Sequence, residues 1–172
     1  MGDATGKGVP AALVMSTTCG MLQLAAQASD SSSSPGEVLK RVNEALLVRI
    51  PSNMFVTCFY ATLEPRRGSL TYANAGHDLP YVRRRGGDCE ELRARGMPLG
   101  LIPSMSYEEE EIQLGAGKAA LFYSDGLVEA HDPKGEMFGF PRLRALIAKH
   151  ADEKRSLAHF LLEEPERPSF PS

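Results

Sequence analysis

"MFVTCFYATLEPRRGSLTYANAG", residues 54–76, decides the fold class. Its first ten residues are apolar on both faces and rich in β-formers, the composition of a central strand covered on both sides. Pro65 and Gly68 turn the chain. "SLTYANA" then alternates at the period of a half-buried strand. Strands joined by a tight turn pair antiparallel.

Downstream, "LPYVRRR" and "CEELRA" flank a "GGD" hairpin tip, and "MSYEEEEIQL" and "KAALFYS" read as two further strands split by "GAG". The glutamate run is expected at an exposed edge, where charge blocks addition of another strand. Upstream, Pro10 opens a helical run over 9–28 that Gly20 weakens. Ser34, Pro35 and Glu37 start a second helix after a serine-rich linker, and Pro51 ends it. Phe138–His150 and Ser156–Glu164 are expected to be helices, and "EEPERPSFPS" a disordered tail over 165–172. Helix, helix, five or six strands, helix, helix is an α+β order with helices segregated from antiparallel strands.

The chain has 172 residues, 42% of them hydrophobic and 24% charged, with a net charge of -3. One domain over 1–164 is expected from this length, and the acidic balance gives no basic face for nucleic acid. Cys19, Cys58 and Cys89 are odd in number and far apart, as in a reduced, cytoplasmic chain. No apolar stretch near 18 residues is read, so no membrane span is expected.

Two aspartates carry the candidate chemistry. "MGDATGKGVPAAL" has glycines and a lysine but does not match G-x-x-x-x-G-K-[ST]. Three residues separate Gly2 from Gly6, and Gly8 stands where the metal-binding hydroxyl belongs. Asp3 can instead offer its carboxylate and nearby carbonyls to a hard cation. In "LFYSDGLVEA", Asp125 follows a buried strand and Gly126 allows a sharp turn. Taken alone, each aspartate reads more readily as a turn or cap residue. No C-x5-R loop of a cysteine phosphatase is read. His77, Lys7 and Glu129 are polar residues near these segments, each with an ordinary loop or helix-start reading beside a role at the site.

"GDATGKGVPAAL", residues 54–82, "GMPLGL" and "LFYSDGLVEAHDPKGEMFGFPRL" together resemble bacterial metal-dependent serine/threonine phosphatases of the PPM class. The branch is that named for stage II sporulation protein E and RsbU, and the match runs from Gly2 to about Leu143. The resemblance implies an α-β-β-α sandwich of antiparallel sheets with two Mn²⁺ or Mg²⁺ ions. Asp3 would bridge both metals, the Ala4 backbone carbonyl would be a further ligand, and Asp125 would bind one. A metal-activated water would attack phosphoserine or phosphothreonine, with no covalent enzyme intermediate. The implied partners are a phosphorylated STAS-type anti-anti-sigma protein and an upstream sensor or response-regulator domain. Two departures stand out: no strand with an acidic residue is read before Asp3, and no strand follows Asp152. The domain is therefore expected to be incomplete at both ends. A noncatalytic fragment or pseudophosphatase that only binds partners is the alternative.

Overall fold

The computed structural model describes residues 1–27, 34–84, 88–115 and 117–149. The expected helix over 156–164 and the expected tail lie outside the described residues. The chain divides into two compact units, one of Met1–His77 with Arg93–Gln113, the other of Asp78–Leu92 with the described residues from Leu114 onward.

The first unit holds strand β1 (Gly2–Ala4), helices α1 (Val9–Gln27) and α2 (Pro35–Leu47), and strands β2 (Val56–Glu64) and β3 (Ser69–Ala75). Strands β4 (Tyr81–Arg83) and β5 (Cys89–Glu91) come next in the chain and belong to the second unit. Strand β6 (Glu109–Gln113) returns to the first, completing an all-antiparallel sheet in the order β1-β2-β3-β6. The expected β2–β3 hairpin is present, with Glu64 opposite Ser69 at its turn. Helices α1 and α2 pack on one another and on this sheet. Leu39, Leu46, Val56 and Leu99 have no exposed surface in the core between them. Each such side chain contributes about 1.5–3 kcal/mol relative to exposure.

A polar side chain in that core has a structural role. Asn43 is fully buried, donates from Nδ2 to the Ile102 carbonyl at 2.9 Å, and accepts the Gly100 N–H on Oδ1 at 2.9 Å. It ties α2 to the 99–102 loop, and nothing in its helical spacing marks it for that task.

Strand β6 is an edge strand, as its charge suggests, but its glutamates also have individual partners. Glu109 Oε1 accepts the Gly36 N–H at 3.0 Å and the Ser34 hydroxyl, so it caps α2 from across the sheet. The preceding Glu108 accepts the Arg95 N–H at 2.9 Å. Replacing Glu109 by Gln should therefore cost about 1 kcal/mol, the value of a helix cap with its favourable dipole contact. Thermal melts of E109Q and E110Q separate this from general charge removal: only the first should melt lower.

The second unit has a three-stranded sheet, β5-β4-β7, where β7 is Ala119–Leu121, followed by helices α3 (Asp125–Val128) and α4 (Gly139–Lys149). Strands β6 and β7, read as neighbours in sequence, belong to different sheets: β6 pairs with β3, and β7 with β4. Arg144 fixes α4 to β4 and β5, donating to the Tyr81 hydroxyl at 3.0 Å and to Glu91 at 2.5 Å.

Two expectations are corrected. No strand is read from the sequence before or at Asp3, yet Gly2–Ala4, which holds Asp3, is a strand paired with β2. Three residues are too few to show a period. One helix, α1, is also long and apolar enough to cross a membrane by length and composition, whereas no such segment was read. Ser, Thr and Gln interrupt the apolar run without adding a charge. The inner side of α1 packs on the core, with Val14 and Thr18 buried.

Candidate active site

Strand β1 places Asp3 opposite Thr57 and Gly2 opposite Cys58. The approach is close: a Cβ on Gly2 would stand 2.6 Å from the Thr57 carbonyl oxygen. Met1 and Phe59 exchange hydrogen bonds at one end, 2.9 and 2.8 Å. At the other end Thr5 donates its N–H to the Phe55 carbonyl at 3.0 Å and accepts the Phe55 N–H on its hydroxyl at 3.0 Å. The short strand is thus held at both ends. Asp3 is exposed, the Ala4 side chain is buried, and the exposed Gly6-Lys7-Gly8 turn leads into α1.

Beneath Asp3 lies a small polar cluster. The Thr57 hydroxyl donates to the Asp3 carbonyl at 3.3 Å and lies 3.0 Å from His77 Nδ1. His77 is 7% exposed. Its backbone N–H donates to Asn74 Oδ1 at 2.8 Å, and Asn74 Nδ2 donates to the His77 carbonyl at 3.0 Å. Gly76 completes that turn with φ +70°, a left-handed conformation that glycine adopts without strain. His77 was singled out in the sequence. Thr57 and Asn74 were missed, although Thr57 is a polar break in an apolar strand.

Asp125 belongs to the second unit. Strand β7 ends at Leu121, three residues earlier than the sequence suggests, and Asp125 is the first residue of α3. Its Oδ1 accepts the Gly126 N–H at 2.7 Å, and its carboxylate is exposed. Tyr123, just before it, is anchored by donation to the Leu79 carbonyl at 3.0 Å and stacks on Tyr81 at 5.9 Å between centroids. Glu129 closes α3 at its C-terminal end and does not start a helix.

Asp132 accepts the Glu136 N–H at 2.9 Å and the Lys134 N–H at 2.8 Å. These backbone bonds, led by that from Glu136, hold its carboxyl below the usual range. Asp132 is thus the organiser of a turn. Asp152 lies outside the described residues.

One further pattern corrects the sequence reading: Cys89 and Arg95 do stand at C-x5-R spacing. Cys89, however, lies in strand β5, and burial raises its thiol above the ordinary value. A nucleophilic cysteine needs the opposite shift. Burial likewise pushes the Cys58 thiol up to about 11.

The donors on Asp3, Ala4 and Asp125 are all oxygens, the chemistry that suits Mg²⁺ or Mn²⁺. Among the described residues no group of three or more His, Cys, Asp and Glu side chains lies together to hold an ion. The donors fit in type and are few in number.

Comparison with known proteins gives a consistent picture. The family model for stage II sporulation protein E (SpoIIE) matches residues 1–168. The chain is 32% identical to phosphoserine phosphatase RsbU of Bacillus subtilis over 150 residues, covering 86% of this chain and 43% of that protein. The structure of the RsbU and RsbW domains of Rv1364c from Mycobacterium tuberculosis matches with a TM-score of 0.72 at 27% identity. It covers 88% of this chain and 42% of that one. The SiaA-PP2C domain of Pseudomonas aeruginosa has the same fold, with a TM-score of 0.71 at 24% identity over 97% of this chain and 70% of its own. The chain thus spans less than half the length of the RsbU relative.

Proposed function

The chain belongs to the stage II sporulation protein E family, and from that membership we propose that it is a metal-dependent protein serine/threonine phosphatase domain. The observation that carries the reading is Asp3: an exposed carboxylate on a strand clamped at both ends, beside a glycine-rich turn. Asp3 and Asp125 would hold Mn²⁺ or Mg²⁺ through their carboxylates, and Ala4 through its backbone carbonyl. Such ions, when bound, supply a water of lowered pKa and positive charge for the phosphoryl oxygens. The protein's part is to fix the anionic ligands and admit the phosphate. Lys7, exposed in the adjoining turn, adds a mobile positive charge that draws the phosphate in. Cys89 is not needed as a nucleophile, consistent with its raised pKa.

The substrate we infer is a phosphoserine or phosphothreonine on a STAS-type anti-anti-sigma protein, in cytoplasmic partner-switching control. The similarity to RsbU and to the RsbU and RsbW domains supports this. An upstream sensor or response-regulator domain would govern it. A second reading, a noncatalytic domain that binds the same partners, is favoured by the small number of gathered metal donors among the described residues.

The two readings separate in an assay of phosphoserine-peptide hydrolysis with and without millimolar Mn²⁺, with binding to a phosphorylated STAS protein measured in parallel. Mn²⁺-dependent phosphate release that chelator abolishes is the expected result. Binding without release, also in a chain extended at both ends, would establish the noncatalytic reading.

A further inference from the structure

We propose that His77 is a positioning residue for the Asp3 segment, acting through the Thr57 hydroxyl. The inference rests on the phosphatase reading of Asp3 and adds a group that sets its geometry.

The direction of the hydrogen bonds leads to this role. The Asp3 carbonyl can only accept, so its contact with the Thr57 hydroxyl is a hydrogen bond only when that hydroxyl gives it its single proton. In that arrangement the Thr57 oxygen accepts from His77 and the imidazole carries its proton on Nδ1, the tautomer this role requires. The chain runs one way: His77 Nδ1–H to Thr57 O–H to the Asp3 carbonyl. Donation by His77 polarises the hydroxyl and strengthens its bond to Asp3.

Placement supports the same role. Strand β1 is three residues long, and among the described residues it pairs with β2 alone. Its outer ties, at Met1 and Thr5, each lie two residues from Asp3. The Thr57 hydroxyl is the side-chain tie at Asp3 itself. His77 can serve it because Asn74 grips both the N–H and the carbonyl of His77, and the turn at Gly76 brings the ring back over β2. A metal ligand held by a second layer of hydrogen bonds loses affinity when that layer is removed, typically 10–100-fold.

The test uses Mn²⁺ alone as the probe, on the full chain, with metal affinity read by titration calorimetry, thermal unfolding read alongside, and the His77 tautomer read by imidazole ¹⁵N NMR. Thr57→Val, which keeps shape and removes the hydroxyl, should weaken Mn²⁺ binding by roughly tenfold or more. His77→Ala should do the same. Thr57→Ser and His77→Asn, each retaining a donor near the original atom, should restore affinity to within about threefold, and Thr57→Val with His77→Ala should be no worse than Thr57→Val alone. The wild-type imidazole should show the Nδ1–H form.

Wild-type-like affinity in Thr57→Val, additive losses in the double variant, an Nε2–H imidazole, or a wild-type chain that binds no Mn²⁺ would each overturn the proposal. Failure of the phosphatase reading is separate: a wild-type chain that binds Mn²⁺ but hydrolyses no phosphoserine.

Discussion

Replacing Asp3 by Asn is expected to lower Mn²⁺-dependent phosphatase turnover by about a thousandfold or more, on the order of 4 kcal/mol of lost transition-state stabilisation. The amide keeps the size of the side chain but removes the negative charge that a hard cation requires. The fold should survive, because Asp3 is exposed and the ties of its strand run through Met1, Thr5 and Thr57. Asp125→Asn should behave alike: its carboxylate is exposed, and the amide oxygen can still accept the Gly126 N–H. Steady-state hydrolysis with thermal melts decides the matter. Turnover within tenfold of wild type in both variants would remove the two carboxylates from the mechanism.

The second large effect concerns stability. Asn43→Ala should destabilise the protein by about 3 kcal/mol, because it deletes two hydrogen bonds and strands the buried Gly100 N–H. For a chain of this size that lowers the melting temperature by roughly 6–12 °C. Half-buried Glu37→Ala on the same helix serves as the reference: its ion pairs with Lys40 and Arg41 are solvent-accessible and are worth little. Equal melting of the two variants would mean that the Asn43 bonds are replaced by water after truncation.

The site itself was legible only in part. Asp3 and Asp125 stand out in the sequence because each sits beside a glycine, and both are exposed. The link from His77 to Asp3 could not be read. Thr57 and His77 are 20 residues apart, and Thr57 and Asp3 are 54 apart. Only the β1–β2 register and the Asn74–His77 turn bring them together.

The sequence by itself determined what local patterns can determine. The apolar run at 54–63 followed by Pro65 and Gly68 makes the β2–β3 hairpin, since strand period and turn chemistry act over a few residues. The helical spacing after Ser34 makes α2, and the glutamates of β6 mark an edge. Tertiary structure alone decided three other matters. Strand β1 exists because β2 offers it a partner, not because three residues have a strand period. Strands β6 and β7, adjacent in the chain, separate because β3 and β4 are their partners. Asn43 and Glu109 became ties to the 99–102 loop and to the start of α2 because buried or helix-terminal backbone groups must be satisfied. Which side chain meets that need depends on distances across the fold that no short window of sequence contains.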